Sequence, residues 1–206
     1  MSNAFSSTLW AVDAALQLAF RNHSGMYLHT AGQSVLYNLF TPPSYAQSIY
    51  TAWRTGPTMY ALPFVAEALN STTGRNVRVL DLGMRTPAGL DWGAAYAVYE
   101  DDEAQQISKI VLINLVSDPS GDNALRVEIP TGSQKRVLVK TLTAPTVAEQ
   151  QNIVSIPADA IALLTLCSPN YCLLPKVLGQ SNVWLLLEWR PQWAGASGAS
   201  GMQRRR

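Results

Sequence analysis

From residue 77 onward the sequence falls into short segments of β-branched and aromatic residues, separated by clusters of Gly, Pro, Asp and Asn. Val77-Arg-Val-Leu-Asp-Leu82, Ala94-Ala-Tyr-Ala-Val-Tyr99, Lys109-Ile-Val-Leu-Ile-Asn-Leu115, Ala124-Leu-Arg-Val-Glu-Ile129 and Arg136-Val-Leu-Val-Lys-Thr-Leu142 recur at fairly regular intervals. Segments of that length and texture are strands, and their spacing is that of an antiparallel sandwich or barrel. Residues 153–156 and 160–166 offer closing strands, and the acidic Glu100-Asp-Asp-Glu103 reads as the tip of a hairpin. The first third keeps a different period. Leu9, Val12, Leu16 and Phe20, with Ala15 and Ala19, predict a helix over 7–20, with Ser6 or Ser7 as its cap and Gly25 suited to its end. Residues 26–30 follow as a short strand, then a loop in which Pro42-Pro43 prevents helix. Met59, Leu62, Val65, Ala66 and Leu69 predict a second helix over 58–69, kinked at Pro63 or starting just before it. Helices followed by strands make the fold class α+β. Two helices and one strand cannot close a barrel, so the first part reads as a piece of something larger.

Composition narrows the partners. Of 206 residues, 48% are hydrophobic and 14% charged, which excludes intrinsic disorder. The net charge is +1, and the basic run Arg204-Arg205-Arg206 ends a low-complexity tail, so no nucleic-acid partner is expected. The longest apolar runs, 160–164 and 183–187, are strand-sized, so no membrane partner is expected either. Residues 1–7 show no signal-peptide pattern. Cys167 and Cys172 are too few for a structural zinc, with His23 and His29 far off in sequence. They fit either a small-loop disulfide or two reduced thiols. There is no G-x-S-x-G elbow, P-loop or G-x-G-x-x-G, so neither a metal nor a cofactor is expected.

Glycosidic hydrolysis needs two carboxylates facing each other across the scissile bond. The chain has fourteen acidic residues, but none is spaced to pair convincingly with another. Asp13 and Glu67 fall on predicted helices, Asp81 in a strand, and Asp101, Asp102 and Glu103 in a turn. His29 is the most suggestive polar group of the first third, because strand ends in α/β barrels open onto the active-site face. Tyr37 and Tyr45 in the following loop either stack against a sugar ring or pack the loop down. Asn22-His-Ser24 and Asn70-Ser-Thr72 are N-glycosylation sequons at predicted helix ends.

Several stretches resemble a known family. Thr8-Leu-Trp-Ala-Val-Asp13, Gly25-Met-Tyr-Leu-His-Thr30 and Tyr60-Ala-Leu-Pro-Phe-Val-Ala-Glu-Ala-Leu69 look like the end of the catalytic barrel in glycoside hydrolase family 79. That is the β-glucuronidase and heparanase group, especially its fungal members. Ala94-Ala-Tyr-Ala-Val-Tyr-Glu100, Lys109-Ile-Val-Leu-Ile-Asn-Leu115 and Val137-Leu-Val-Lys-Thr-Leu-Thr-Ala-Pro145 look like its C-terminal β-sandwich domain. The resemblance covers about residues 3–150 in order and spacing, and departs from the family pattern after about Asn152.

It implies a barrel remnant over 1–72, a β-sandwich over 73–166 and an unrecognised, partly disordered tail over 167–206. The family's acid/base and nucleophilic glutamates map upstream of Met1, so the resemblance implies no catalytic residue in this chain. It implies an accessory domain fragment, inactive alone, whose substrate-facing residues are His29 and Tyr37. Carbohydrate of the glucuronide type is the partner with the full barrel present, and the location is extracellular. The alternative is a non-catalytic carbohydrate-binding or protein-interaction β-sandwich module, for which Trp92 is the aromatic to watch. A third reading has Glu67 or Asp81 acting as a catalytic acid.

Overall fold

The computed structural model describes residues 3–31, 37–41, 54–71, 74–83, 93–100, 107–116, 128–130, 138–150, 154–156, 167–168, 171–173 and 183–188. Tyr45, Trp92, the acidic turn at 101–103, the strand segments at 124–127 and 160–166 and the tail from 189 lie outside them. The two helices are α1, Phe5–Phe20, and α2, Ala61–Leu69, the latter entered through a 3-10 turn at Pro57–Tyr60. Strands β1 (Phe40–Thr41) and β2 (Arg54–Thr55) pair antiparallel between the helices. After them come β3 (Val77–Asp81), β4 (Gly93–Glu100), β5 (Ile107–Asn114), β6 (Glu128–Pro130), β7 (Leu138–Thr143) and β8 (Val154–Ile156). The last are β9 (Cys167–Ser168), β10 (Tyr171–Leu173) and β11 (Val183–Glu188). The fold class is α+β.

The helices start and stop for reasons the local sequence shows only in part. The first N–H groups of a helix need outside acceptors. At α1 no serine side chain supplies them: the cap is Ala4, and Ser7 Oγ donates to its carbonyl. Phe5 and Ser6 instead donate their amides to the carbonyls of Glu149 and Val147, 2.7 and 2.9 Å away, in the segment after β7. Gly25 does not end the helix. Asn22 does, at φ 62°, with its N–H on the Ala19 carbonyl and that of His23 on the Leu18 carbonyl. That pair of bonds is a Schellman ending, and asparagine tolerates the left-handed residue it needs. Of the two expectations for Pro63, a start just before it is what forms, with α2 beginning at Ala61. Pro63 sits in the first turn, where its missing N–H has no intrahelical acceptor to leave unmet.

Residues 25–31 run without helix or strand. The strand expected over 26–30 is therefore not formed, because a strand exists only where a neighbour takes its backbone groups.

The main sheet has the order β3-β4-β5-β11-β7-β8, antiparallel throughout. A smaller sheet runs β6-β10-β9. The segment from Cys167 on, unrecognised in sequence and expected to be in part a tail, thus supplies three strands. One of them, β11, lies inside the main sheet between β5 and β7. In β9 and β10 the backbone register sets Cys167 opposite Cys172.

One core joins the helices to the sheet. Phe5, Leu9, Val12 and Leu16 of α1 and Phe64 and Ala68 of α2 pack with Tyr96, Val111, Ile113 and Leu142. Each large apolar side chain removed from water in this way contributes about 1.5–3 kcal/mol. Strand alternation turns Ala95, Ala97, Ile110 and Leu112 to the opposite face, where they are also buried. The principal apolar faces of both helices are therefore buried against the sheet. Away from the sheet, Ala15, Leu18 and Ala19 still share an apolar groove of about 290 Å³ with Leu62, Val65 and Ala66. Among the described residues no helix is long and apolar enough to cross a membrane.

Candidate functional site

A cleft of about 670 Å³ opens where the first turns of the two helical segments come together. Ser6, Ser7 and Trp10 line it from α1, and Thr58 lines it from the turn that leads into α2. The ends are held by Thr8, whose hydroxyl donates to the Pro57 carbonyl at 2.6 Å, and by a 3.0 Å hydrogen bond between the Ser7 and Thr58 hydroxyls. The opposite wall is the extended segment after α1, through Tyr27, Leu28 and His29, together with Tyr37.

Tyr37 is held at that wall by the residue that follows it, Asn38, which is bonded to Ala31. Ala31 donates its amide to Asn38 Oδ1 at 2.9 Å, and Asn38 Nδ2 donates to the Ala31 carbonyl at 3.0 Å. Asn38 is buried, so this pairing also satisfies an amide withdrawn from water. Gly56 locks the loop to the turn of Thr58, donating its amide to the Leu39 carbonyl at 2.8 Å. A Cβ at this position would lie 2.1 Å from the Asn38 carbonyl oxygen, so only glycine permits the approach.

The two residues expected to face a ligand meet. His29 Nδ1 and the Tyr37 hydroxyl are 3.2 Å apart, with ring centroids separated by 5.9 Å and the rings tilted at 47°. Trp10 and Tyr27 were not singled out in the sequence, yet among the described residues they are the most exposed aromatics of the cleft, at 58% and 97%. One signal for Tyr27 was available: it stands two residues before His29, which in an extended segment turns both toward one side.

The carboxylates gather elsewhere. Asp13 on α1 accepts a hydrogen bond from the Tyr96 hydroxyl of β4. Gln17 Nε2 donates to that same hydroxyl at 2.9 Å and to Asp81 Oδ2 of β3 at 2.7 Å. Two acids with no telling spacing in sequence thus join one cluster between helix and sheet. Burial, then the hydrogen bond to Asp13 and its negative charge, push the Tyr96 phenol well above the ordinary tyrosine range. Glu67 is ion-paired with Lys140 of β7. Neither Glu67 nor Asp81 lines the cleft. Among the described residues no group of three His, Cys, Asp or Glu side chains forms a metal site. Asn22 and Asn70, the sequon asparagines, are both exposed.

Residues 95–158 match the family model described as the glycosyl hydrolase family 79 C-terminal beta domain. The matched stretch runs from β4 through β8 and includes β5 and β7, which flank β11 in the main sheet. No curated protein matches the chain. The matched stretch contributes Tyr96, Val111, Ile113 and Leu142 to the core that α1 and α2 share. It also contributes Lys109, whose ammonium donates to the carbonyls of Glu67 and Asn70 at the end of α2.

Proposed function

We propose that this chain is the C-terminal part of a β-glucuronidase-type glycoside hydrolase. Residues 1–72 are the end of its catalytic barrel and residues 73–166 its accessory β-sandwich, joined by β11 from further along the chain. The observation that carries the reading is the family 79 match over residues 95–158. Burial of both faces of β4 and β5 supports a sandwich, since a sheet covered by helices on one side needs a second layer on the other. The open apolar groove between α1 and α2 supports a barrel remnant, because helices of a barrel bury a second face against its strands. His29 and Tyr37 face the sugar from the cleft. Exposed sequons at Asn22 and Asn70 support an extracellular protein.

On this reading the family's catalytic glutamates are not among these residues, and the chain is inactive alone. Retaining hydrolysis needs its two carboxyl groups about 5–5.5 Å apart across the glycosidic bond. Glu67 is committed to Lys140 and Asp81 to Gln17, both away from the cleft. The purified chain, assayed on an aryl β-glucuronide beside Glu67→Gln and Asp81→Asn variants, is expected to give no turnover. Turnover in the parent that disappears in either variant would overturn the proposal.

A further inference from the structure

Large aromatic side chains left in water need an explanation when they collect in one concavity. Scattered exposed apolar residues are ordinary on any surface. Here Trp10, Tyr27 and Tyr37 are 58%, 97% and 40% exposed and line the same cleft. Trp10 stands on a helix whose other face, Leu9, Val12 and Leu16, is fully used in the core, so packing has no need of it. At about 670 Å³ the cleft has the size of a small-molecule site. Among the described residues its polar groups are hydroxyls and an imidazole, including those of Ser6, Ser7, Thr58, Tyr37 and His29. Each hydroxyl can donate one hydrogen bond and accept two, which leaves capacity beyond the bonds already made.

We propose that Trp10 and Tyr27 form an aromatic platform for the C–H face of a pyranoside ring, whose hydroxyl edge is met by His29 and Tyr37. The inference rests on the reading of the cleft as sugar-facing and adds how the ring is held. A pyranoside is amphipathic in the way the cleft is, with apolar ring faces and a rim of hydroxyls. Aromatic faces desolvate the first, and short polar side chains pair with the second. Recognition through the ring face makes the substituent at C6 secondary, so a glucoside and a glucuronide of the same configuration bind alike.

The test uses the whole chain with two probes, methyl β-D-glucuronide and methyl β-D-glucopyranoside, followed by titration calorimetry and saturation-transfer NMR. Both are expected to bind within about threefold of each other. Trp10→Ala and Tyr27→Ala are each expected to weaken both probes by roughly five- to tenfold, an effect of the size of one aromatic contact. Trp10→Phe should recover most of the loss. Trp10 and Tyr27 are exposed, so unchanged thermal melts of the variants establish that the fold is intact.

Three results would overturn the platform: no binding of either probe to the parent, equal affinity in parent and Trp10→Ala, or glucuronide binding that vanishes with the glucoside. The aryl-glucuronide assay on the same preparation separates the two ideas. A parent that binds through Trp10 but also turns over substrate sinks the inactive-fragment reading alone. A parent that neither turns over nor binds sinks the platform alone.

Discussion

A tyrosine that donates to a carboxylate inside a core keeps its proton against both burial and the neighbouring charge, and Tyr96 is in that position between α1 and the sheet. Because its folded pKa is raised, the stability it contributes is fully present below the unfolded value near 10 and is lost as pH rises beyond it. Tyr96→Phe is therefore expected to lower stability by about 1–3 kcal/mol at neutral pH, by leaving Asp13 and Gln17 without their shared hydroxyl. It should also flatten the decline that sets in above about pH 10. Urea unfolding of parent and variant at several pH values measures both effects. An equally steep alkaline decline in the variant would refute the assignment. The same cluster shows where residue-level reading of the sequence stops. Asp13, Gln17, Asp81 and Tyr96 carry no motif and meet only because α1 lies across β3 and β4. His29 and Tyr37 were legible as candidates through resemblance, but their contact depends on the Asn38 clasp and on Gly56, which no local pattern announces.

Elements were more legible than their ends. The 3.6-residue spacing finds α1 and α2, and the strand texture finds β3, β4, β5 and β7 to within a few residues, because those patterns express the face each element buries. The ends depend on partners distant in sequence. Val147 and Glu149 serve the start of α1, and Lys109 of β5 serves the end of α2. A buried ammonium on a helix C-terminus meets both unpaired carbonyls and the negative end of the dipole. Lys109 is buried, whereas the Lys140–Glu67 pair is part-exposed, at 22% and 38%, and its contribution is reduced by solvent screening. Lys109→Met is thus expected to cost about 1.5–3 kcal/mol, and Lys140→Met about 1 kcal/mol or less. Equilibrium denaturation of the two variants decides this, and a reversed order would show that α2 is held chiefly by the surface pair. The unformed strand at 26–30 carries the complementary lesson, since alternation in sequence creates no strand without a neighbour to accept it.

At the scale of the whole molecule, the helices and the main sheet share one core and one polar cluster, so they are expected to unfold together. The least legible feature was global: an apolar run beyond the recognisable part of the chain becomes the strand between β5 and β7. Sheet order is set by long-range pairing, which the composition of a segment does not encode. A chain ending at Leu178 is accordingly expected to lose the main sheet, with amides at Val111 and Leu142 exchanging freely with solvent. Retained protection there would mean that β5 and β7 hold without β11. The position of β11 also dictates an order of events during synthesis. As the nascent chain emerges, β5 and β7 are available long before the strand that must lie between them, and each keeps an open edge. Assembly of the sheet is therefore delayed until β11 has been made, slowed by the wait for a distant partner. In that interval the two edges are open to strands of other nascent chains, so the yield of folded protein depends on how quickly the segment carrying β11 leaves the ribosome.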